Sequence, residues 1–244
     1  MTILETSDVS VRFGGHMAVI GVGLQVEEGA ITGLIGPNGA GKTTMFNVIT
    51  GLQAPSAGRV RLDGRDITKV APHKRAKLGI TRTFQRLELF GSLSVRDNVL
   101  VAAELHRRSG MDPGTVADAL VERVGLTDRA HQRADSLSTG GARLVELARA
   151  LAGSPRVLLL DEPASGLDER ETDQFAHLLS ELADNGLAIL LVEHDVPLVM
   201  RLCRTITVLN FGVVLASGAP QDVQRDPAVI DAYLGQGTDV GAMS

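Results

Sequence analysis

Apolar and polar residues alternate along residues 2–35, with Val9, Val11 and Phe13 and then Leu24 and Val26 on every second position. That period of two predicts antiparallel β-strands with one face on a core. An apolar run over residues 30–35 closes the stretch. After a glycine-rich loop, Met45-Phe46-Asn47-Val48-Ile49 reads as a helix ending near Gly51. Residues 59–64 predict another strand, closed by the turn signal Asp63-Gly64. Residues 72–78 predict a short helix with Pro72 in its first turn, its Lys74, Arg75 and Lys77 forming a solvated face. Residues 80–84 predict a strand ending at Gln85.

Between about residues 92 and 152 the period becomes helical. Ser94-Val95-Arg96-Asp97 has the form of a helix N-cap, and residues 114–124 and 140–152 predict two further helices. A helical block set into an α/β chain implies a subdomain on the flank of the sheet. Residues 157–160 are continuously apolar and predict a strand covered on both faces. Helices are expected over Glu169–Asp184 and Val196–Leu202, with a strand over 187–192 between them. Residues 206–209 and 213–216 predict a hairpin around Phe211-Gly212, before a last helix near Pro227–Leu234 and a frayed tail.

The 244 residues (25.8 kDa, 44% apolar) suffice for a full core, as one domain with a subdomain. A net charge of −5, six Phe, one Tyr and no Trp argue against a nucleic-acid partner. No apolar run approaches the ~20 residues of a membrane helix, and the N-terminus lacks the form of a signal peptide. The lone Cys203 reads as a buried small hydrophobe. A cytoplasmic protein is expected.

Between the apolar run and its helix stands Gly36-Pro37-Asn38-Gly39-Ala40-Gly41-Lys42-Thr43-Thr44. It satisfies GxxxxGK[ST] in the strand–loop–helix setting of a P-loop. Gly36, Gly39 and Gly41 let successive N–H groups converge on an anion, toward which the helix points its positive end. Lys42 would reach the β- and γ-phosphates, the Thr43 hydroxyl would ligate Mg²⁺, and Thr44 would add a phosphate contact. The strand over 157–160 ends in Asp161-Glu162-Pro163. An open α/β sheet places its ligand at such an edge. Asp161 would therefore meet the Mg²⁺ held by Thr43, and Glu162 would orient and deprotonate the attacking water.

Leu137-Ser138-Thr139-Gly140-Gly141 introduces the helix over 140–152. This resembles the signature motif of ATP-binding cassette (ABC) ATPases, and the likeness spans almost the whole chain in the family's order. Phe13 matches the aromatic that stacks on adenine. Gln85, in Thr81-Arg82-Thr83-Phe84-Gln85, matches the Q-loop residue at the nucleotide and its metal. Ser165-Gly166-Leu167-Asp168 resembles the D-loop, and His194 in Val192-Glu193-His194-Asp195 the switch histidine. The resemblance implies an α/β P-loop cassette with a RecA-like core, an N-terminal antiparallel β subdomain and an inserted helical subdomain. Its expected division is a core of about 1–91 and 153–235, a helical subdomain of about 92–152 and a tail of 236–244. It further implies a homodimer, or a heterodimer with a related ATPase subunit, holding two ATP molecules between one subunit's P-loop and the other's Ser138 and Gly140. Asp168 would then lie at that interface, and His194 would touch the γ-phosphate.

Four positions depart from the family's pattern: Phe13 replaces a tyrosine, Thr139 a glycine, and Gly141-Ala142 a pair of glutamines. Gly141 loosens the start of its helix. Leu144 also stands where arginine is frequent.

Phe13-Gly14-Gly15, the run 79–85, Val192-Glu193-His194-Asp195 and the ending Val229-Ile230-Asp231-Ala232-Tyr233-Leu234-Gly235 resemble the branched-chain amino acid uptake branch. Its members, and relatives handling urea or amides, work at the cytoplasmic face of the inner membrane. They act with transmembrane permease subunits and, indirectly, a periplasmic solute-binding protein. Leu87, Leu89, Phe90 and Leu93 either receive a permease helix or pack beneath the helical block. A lipid or lipopolysaccharide transport ATPase and a soluble cassette protein remain alternatives. The soluble class usually carries long inserts or a second cassette, which this chain lacks. A GTPase is disfavoured because no Asn-Lys-x-Asp run occurs.

Overall fold

Alternation becomes structure in the first two strands, Thr2–Phe13 (β1) and His16–Glu27 (β2), which pair antiparallel. The computed structural model of the chain describes residues 1–83, 87–106 and 111–234. Phe84, Gln85 and the expected tail lie outside these residues.

Ile31–Ile35 (β3) leads through the glycine loop into Lys42–Thr50 (α1). Ala57–Leu62 (β4) turns at Asp63-Gly64, both at positive φ, into Arg65–Asp66 (β5). Pro72–Lys77 (α2) and Ile80–Arg82 (β6) follow. Three helices come next: Val95–Leu105 (α3), Pro113–Arg123 (α4) and Thr139–Leu151 (α5). The remainder alternates: Val157–Asp161 (β7), Glu169–Asp184 (α6), Ala188–Val192 (β8), Val196–Leu202 (α7), Thr205–Asn210 (β9) and Val213–Gly218 (β10). Pro220–Arg225 (α8) and Pro227–Leu234 (α9) end the described chain.

Two sheets result. One is antiparallel, in the order β2-β1-β4-β5; the other runs β10-β9-β3-β8-β7-β6, with only β10 antiparallel to its neighbour. The antiparallel expectation for 2–35 is thus corrected at its last strand, since β3 pairs in parallel with both β8 and β9. All five residues of β3, β7 and β8 are buried, because packed layers cover both faces of these strands. Leu158 and Leu160 face one core with α5 and α6, while Val157 and Leu159 face another with α1 and the antiparallel sheet. That is the two-residue period of a strand read across a sheet.

The helices start where capping chemistry dictates. Ser94 Oγ accepts the Asp97 N–H at 3.0 Å, and Asp168 with Glu171 forms a reciprocal capping box at α6. The solvated face expected of α2 is corrected at Arg75, which is 1% exposed. Its guanidinium donates to the carbonyls of Val48 (2.7 Å) and Ile49 (2.8 Å) at the end of α1, and to those of Val70 and Thr68. Ile49 and Val48 lie in the last turn of α1, where carbonyls run short of helical donors and Val48 is met by the cap Gly51 N–H at 3.2 Å, so a buried cation there adds donors and meets the helix's negative end.

Candidate nucleotide site

The P-loop is a turn that admits only glycine at two places. Gly36 has φ +147°, and a Cβ on it would lie 2.1 Å from the Leu209 carbonyl oxygen. Gly41 has φ +108°, and a Cβ there would lie 2.8 Å from the Ala18 carbonyl oxygen. No side chain caps α1, so its first-turn N–H groups face the loop without a side-chain acceptor. Lys42 is buried, with Nζ donating to the carbonyls of Gly36 (2.5 Å) and Pro37 (3.0 Å). Burial pulls its pKa down, against the opposing pull of Glu162 and Asp161. Pro37 and Ala40 are buried, Asn38, Gly39 and Thr43 exposed and Thr44 half-buried. Phe13, at the end of β1, leaves half its surface open to a stacking partner.

The ends of β7 and β8 lie beside this loop. Asp161 closes β7 and is buried. Glu162 follows with φ +51°, a strained conformation for a residue with a side chain. Its Oε1 stands 2.5 Å from His194 Nε2. The sequence places these two residues 32 apart, and the fold brings them into contact.

Two residues here went unnoticed in the sequence. Glu193 is buried and accepts the N–H groups of Ala164 (2.7 Å) and His194 (3.1 Å), tying the D-loop to the histidine. Burial pushes its carboxyl pKa up, and those two N–H bonds pull against the shift. Arg82 donates from Nη1 to Asn47 Oδ1 (2.6 Å) and from Nη2 to Asp161 Oδ2 (2.7 Å). Neither signal lies in periodicity. Charged residues beside apolar strand ends were the available hint.

The signature stretch forms a separate centre. Ser138 caps α5, its Oγ accepting the Gly141 N–H at 3.2 Å. The same hydroxyl lies 3.3 Å from Glu171 Oε1, and a Cβ on Gly140 would meet that oxygen at 2.4 Å. Glu171 Oε2 also accepts the Asp168 N–H at 3.2 Å. Thr139 packs its methyl on the D-loop, 3.1 Å from where a Cβ of Gly166 would sit. A cleft of about 440 Å³ opens here, lined by Ser138, Gly140, Asp168 and Glu171 but by no P-loop residue.

A second cleft, about 260 Å³, is lined by Arg82, Glu88, Phe90, Leu105, Glu146 and Arg149 among others. Phe90 is 47% exposed, with the Arg149 guanidinium 5.0 Å from its ring centroid. Leu89 packs on the core instead, the packing role expected as one of its two alternatives.

Comparison with known proteins draws these features together. The family model described as "ABC transporter" matches residues 19–165. The chain belongs to the ABC transporter family, as an ATP-binding cassette ATPase. A second model, for the branched-chain amino acid ATP-binding cassette transporter, matches residues 213–239. The chain is 42% identical to the high-affinity branched-chain amino acid transport ATP-binding protein BraF of Pseudomonas aeruginosa, over 96% of this chain and 98% of the relative. The corresponding LivG protein of Escherichia coli is 38% identical over the same shares. The lipopolysaccharide export ATP-binding protein LptB of Acidithiobacillus ferridurans is 36% identical over 96% of this chain and 97% of its own. Among solved structures, an ABC transporter cassette in its ADP conformation matches with a TM-score of 0.88 and 30% identity, over 96% of this chain and 99% of its own. Among the described residues of the ABC cassette no helix is long and apolar enough to cross a membrane.

Proposed function

We propose that this cassette hydrolyses ATP to drive import of branched-chain amino acids or a related small polar solute through partner permeases at the cytoplasmic face of the inner membrane. The observation that carries the choice of solute class is the family match over residues 213–239, beside the likeness to BraF. The lipopolysaccharide reading rests on a relative of lower identity.

The residues present suit a magnesium nucleotide, since a hydroxyl and a carboxylate are hard oxygen donors. Thr43 and Asp161, with Gln85, would hold Mg²⁺, which when bound neutralises charge on the β- and γ-phosphates. The loop N–H groups and the α1 terminus cradle the phosphates. Lys42 exchanges its two carbonyl partners for phosphate oxygens, and its burial strengthens that contact. Glu162 takes the proton of the attacking water, and His194, already in contact with it, holds its orientation and reaches the γ-phosphate. Ser138 and Gly140 of a second cassette would grip that phosphate from the other side, with Asp168 at the join. Residues 92–152 would form the lobe that carries this grip, and Phe90 would seat a permease helix. A solute-binding protein would act through the permease.

The test is reconstitution with permeases encoded beside this chain. Solute-stimulated ATPase activity that answers to branched-chain amino acids supports the reading. Stimulation by a lipid or lipopolysaccharide cargo alone contradicts it.

A further inference from the structure

Arg82 stands in the run that leads to Gln85, where the motifs give it no role of its own, yet its guanidinium joins two elements of the nucleotide site. Nη1 reaches Asn47 on α1 and Nη2 reaches Asp161 on β7. Asn47 lies four residues after Thr43, on the same face of that helix. The guanidinium carbon also lies over the Phe46 ring, 5.2 Å from its centroid. Both members of the Arg82–Asp161 pair are shielded, with side-chain exposures of 7% and 6%.

We infer that Arg82 is a positioning residue for the metal, a rigid spacer that sets the gap between Thr43 and Asp161 and turns the Asp161 carboxylate toward it. This rests on the reading of Thr43 and Asp161 as metal ligands. A guanidinium is planar, and its two terminal nitrogens stand at a fixed separation. Holding one carboxylate oxygen on Nη2 and one amide oxygen on Nη1, it leaves neither α1 nor the end of β7 free to slide. Partners of this kind orient metal ligands, and their removal typically lowers metal affinity by about 10- to 100-fold. The competing account makes Arg82 a counter-ion that merely offsets a buried carboxylate. The two differ in what a lysine can replace: Lys keeps the charge but cannot span both oxygens. Arg82 also lines the cleft beside Phe90, so whatever fills that cleft abuts the side chain that holds Asp161.

The experiment measures Mn²⁺ binding to the full chain with ADP, protein in excess over nucleotide, from the paramagnetic resonance signal of the free ion. ADP affinity in chelator and thermal stability are measured alongside. Arg82→Lys is expected to weaken Mn²⁺ binding about tenfold or more, with metal-free ADP affinity changed less than about twofold. Asn47→Ala leaves the ion pair intact and removes one anchor of the spacer, so it is expected to shift Mn²⁺ affinity in the same direction by a smaller factor. Unaltered Mn²⁺ affinity in both variants would overturn the role given to Arg82 and leave a counter-ion. Failure of the unsubstituted chain to bind Mn²⁺ with ADP would instead overturn the metal site and this inference with it.

Discussion

The P-loop edge and the signature edge each set a helix N-terminus beside a glycine-bearing turn, yet they are furnished differently. At the P-loop the charged groups named above have opposite or complementary neighbours from the same chain: Lys42 on two carbonyls, Arg82 on Asp161, His194 on Glu162. At the signature the helix terminus faces an anion of its own chain, Glu171, lying against Ser138 and Gly140. The first edge is complete enough to hold a nucleotide. At the second a carboxylate of the same chain stands against the helix terminus. A positive helix end favours any anion by roughly 0.3–1 kcal/mol, so under the proposed two-cassette arrangement a phosphate from the second cassette would have to displace Glu171.

The comparison breaks most readily at Glu162. Glu162→Gln removes the proposed base and is expected to lower kcat about 10³-fold, with ATP affinity in a binding titration changed less than about threefold. Turnover near that of the unsubstituted chain would remove Glu162 from the chemistry and leave the P-loop edge a binding site only.

Support of that edge from behind is the next test. Arg75→Met strips four carbonyls of a buried donor and is expected to cost about 3 kcal/mol in denaturant unfolding. A loss under about 1 kcal/mol would mean that α1 stands without this anchor.

The signature edge answers to gentler changes. Glu171→Gln, placed in the Glu162→Gln background, is expected to lower the ATP concentration for half-maximal association about two- to fivefold. An unchanged or higher concentration would show that Glu171 is no competitor. Gly141→Ala has the smallest expected effect, because a Cβ there meets nothing nearer than 3.4 Å. It should stabilise the chain by about 0.5–1 kcal/mol, raising Tm about 1–3 °C.

Much of this architecture was legible in advance, for reasons that separate periodic from tertiary information. The bounds Glu169–Asp184 and Val196–Leu202 were readable because an acid cap and an apolar stripe are local signals. The P-loop was readable because its glycines answer to backbone geometry. Arg75 was misread as solvated because its neighbours in sequence are lysines, while its partners lie 26 and 27 residues away. Glu193, Arg82 and Glu171 went unnoticed for the same reason: a side chain's long-range partner leaves no period. The short helix Pro220–Arg225 was missed because six residues carry too little pattern.

The central claim is that one ATP is held between two cassettes, and it is tested by the mass in solution of the Glu162→Gln protein, alone and with its cognate partner subunit, at saturating Mg·ATP. The account predicts a species of two cassettes with ATP that reverts to single subunits when nucleotide is withdrawn. A single cassette under every one of those conditions would contradict it.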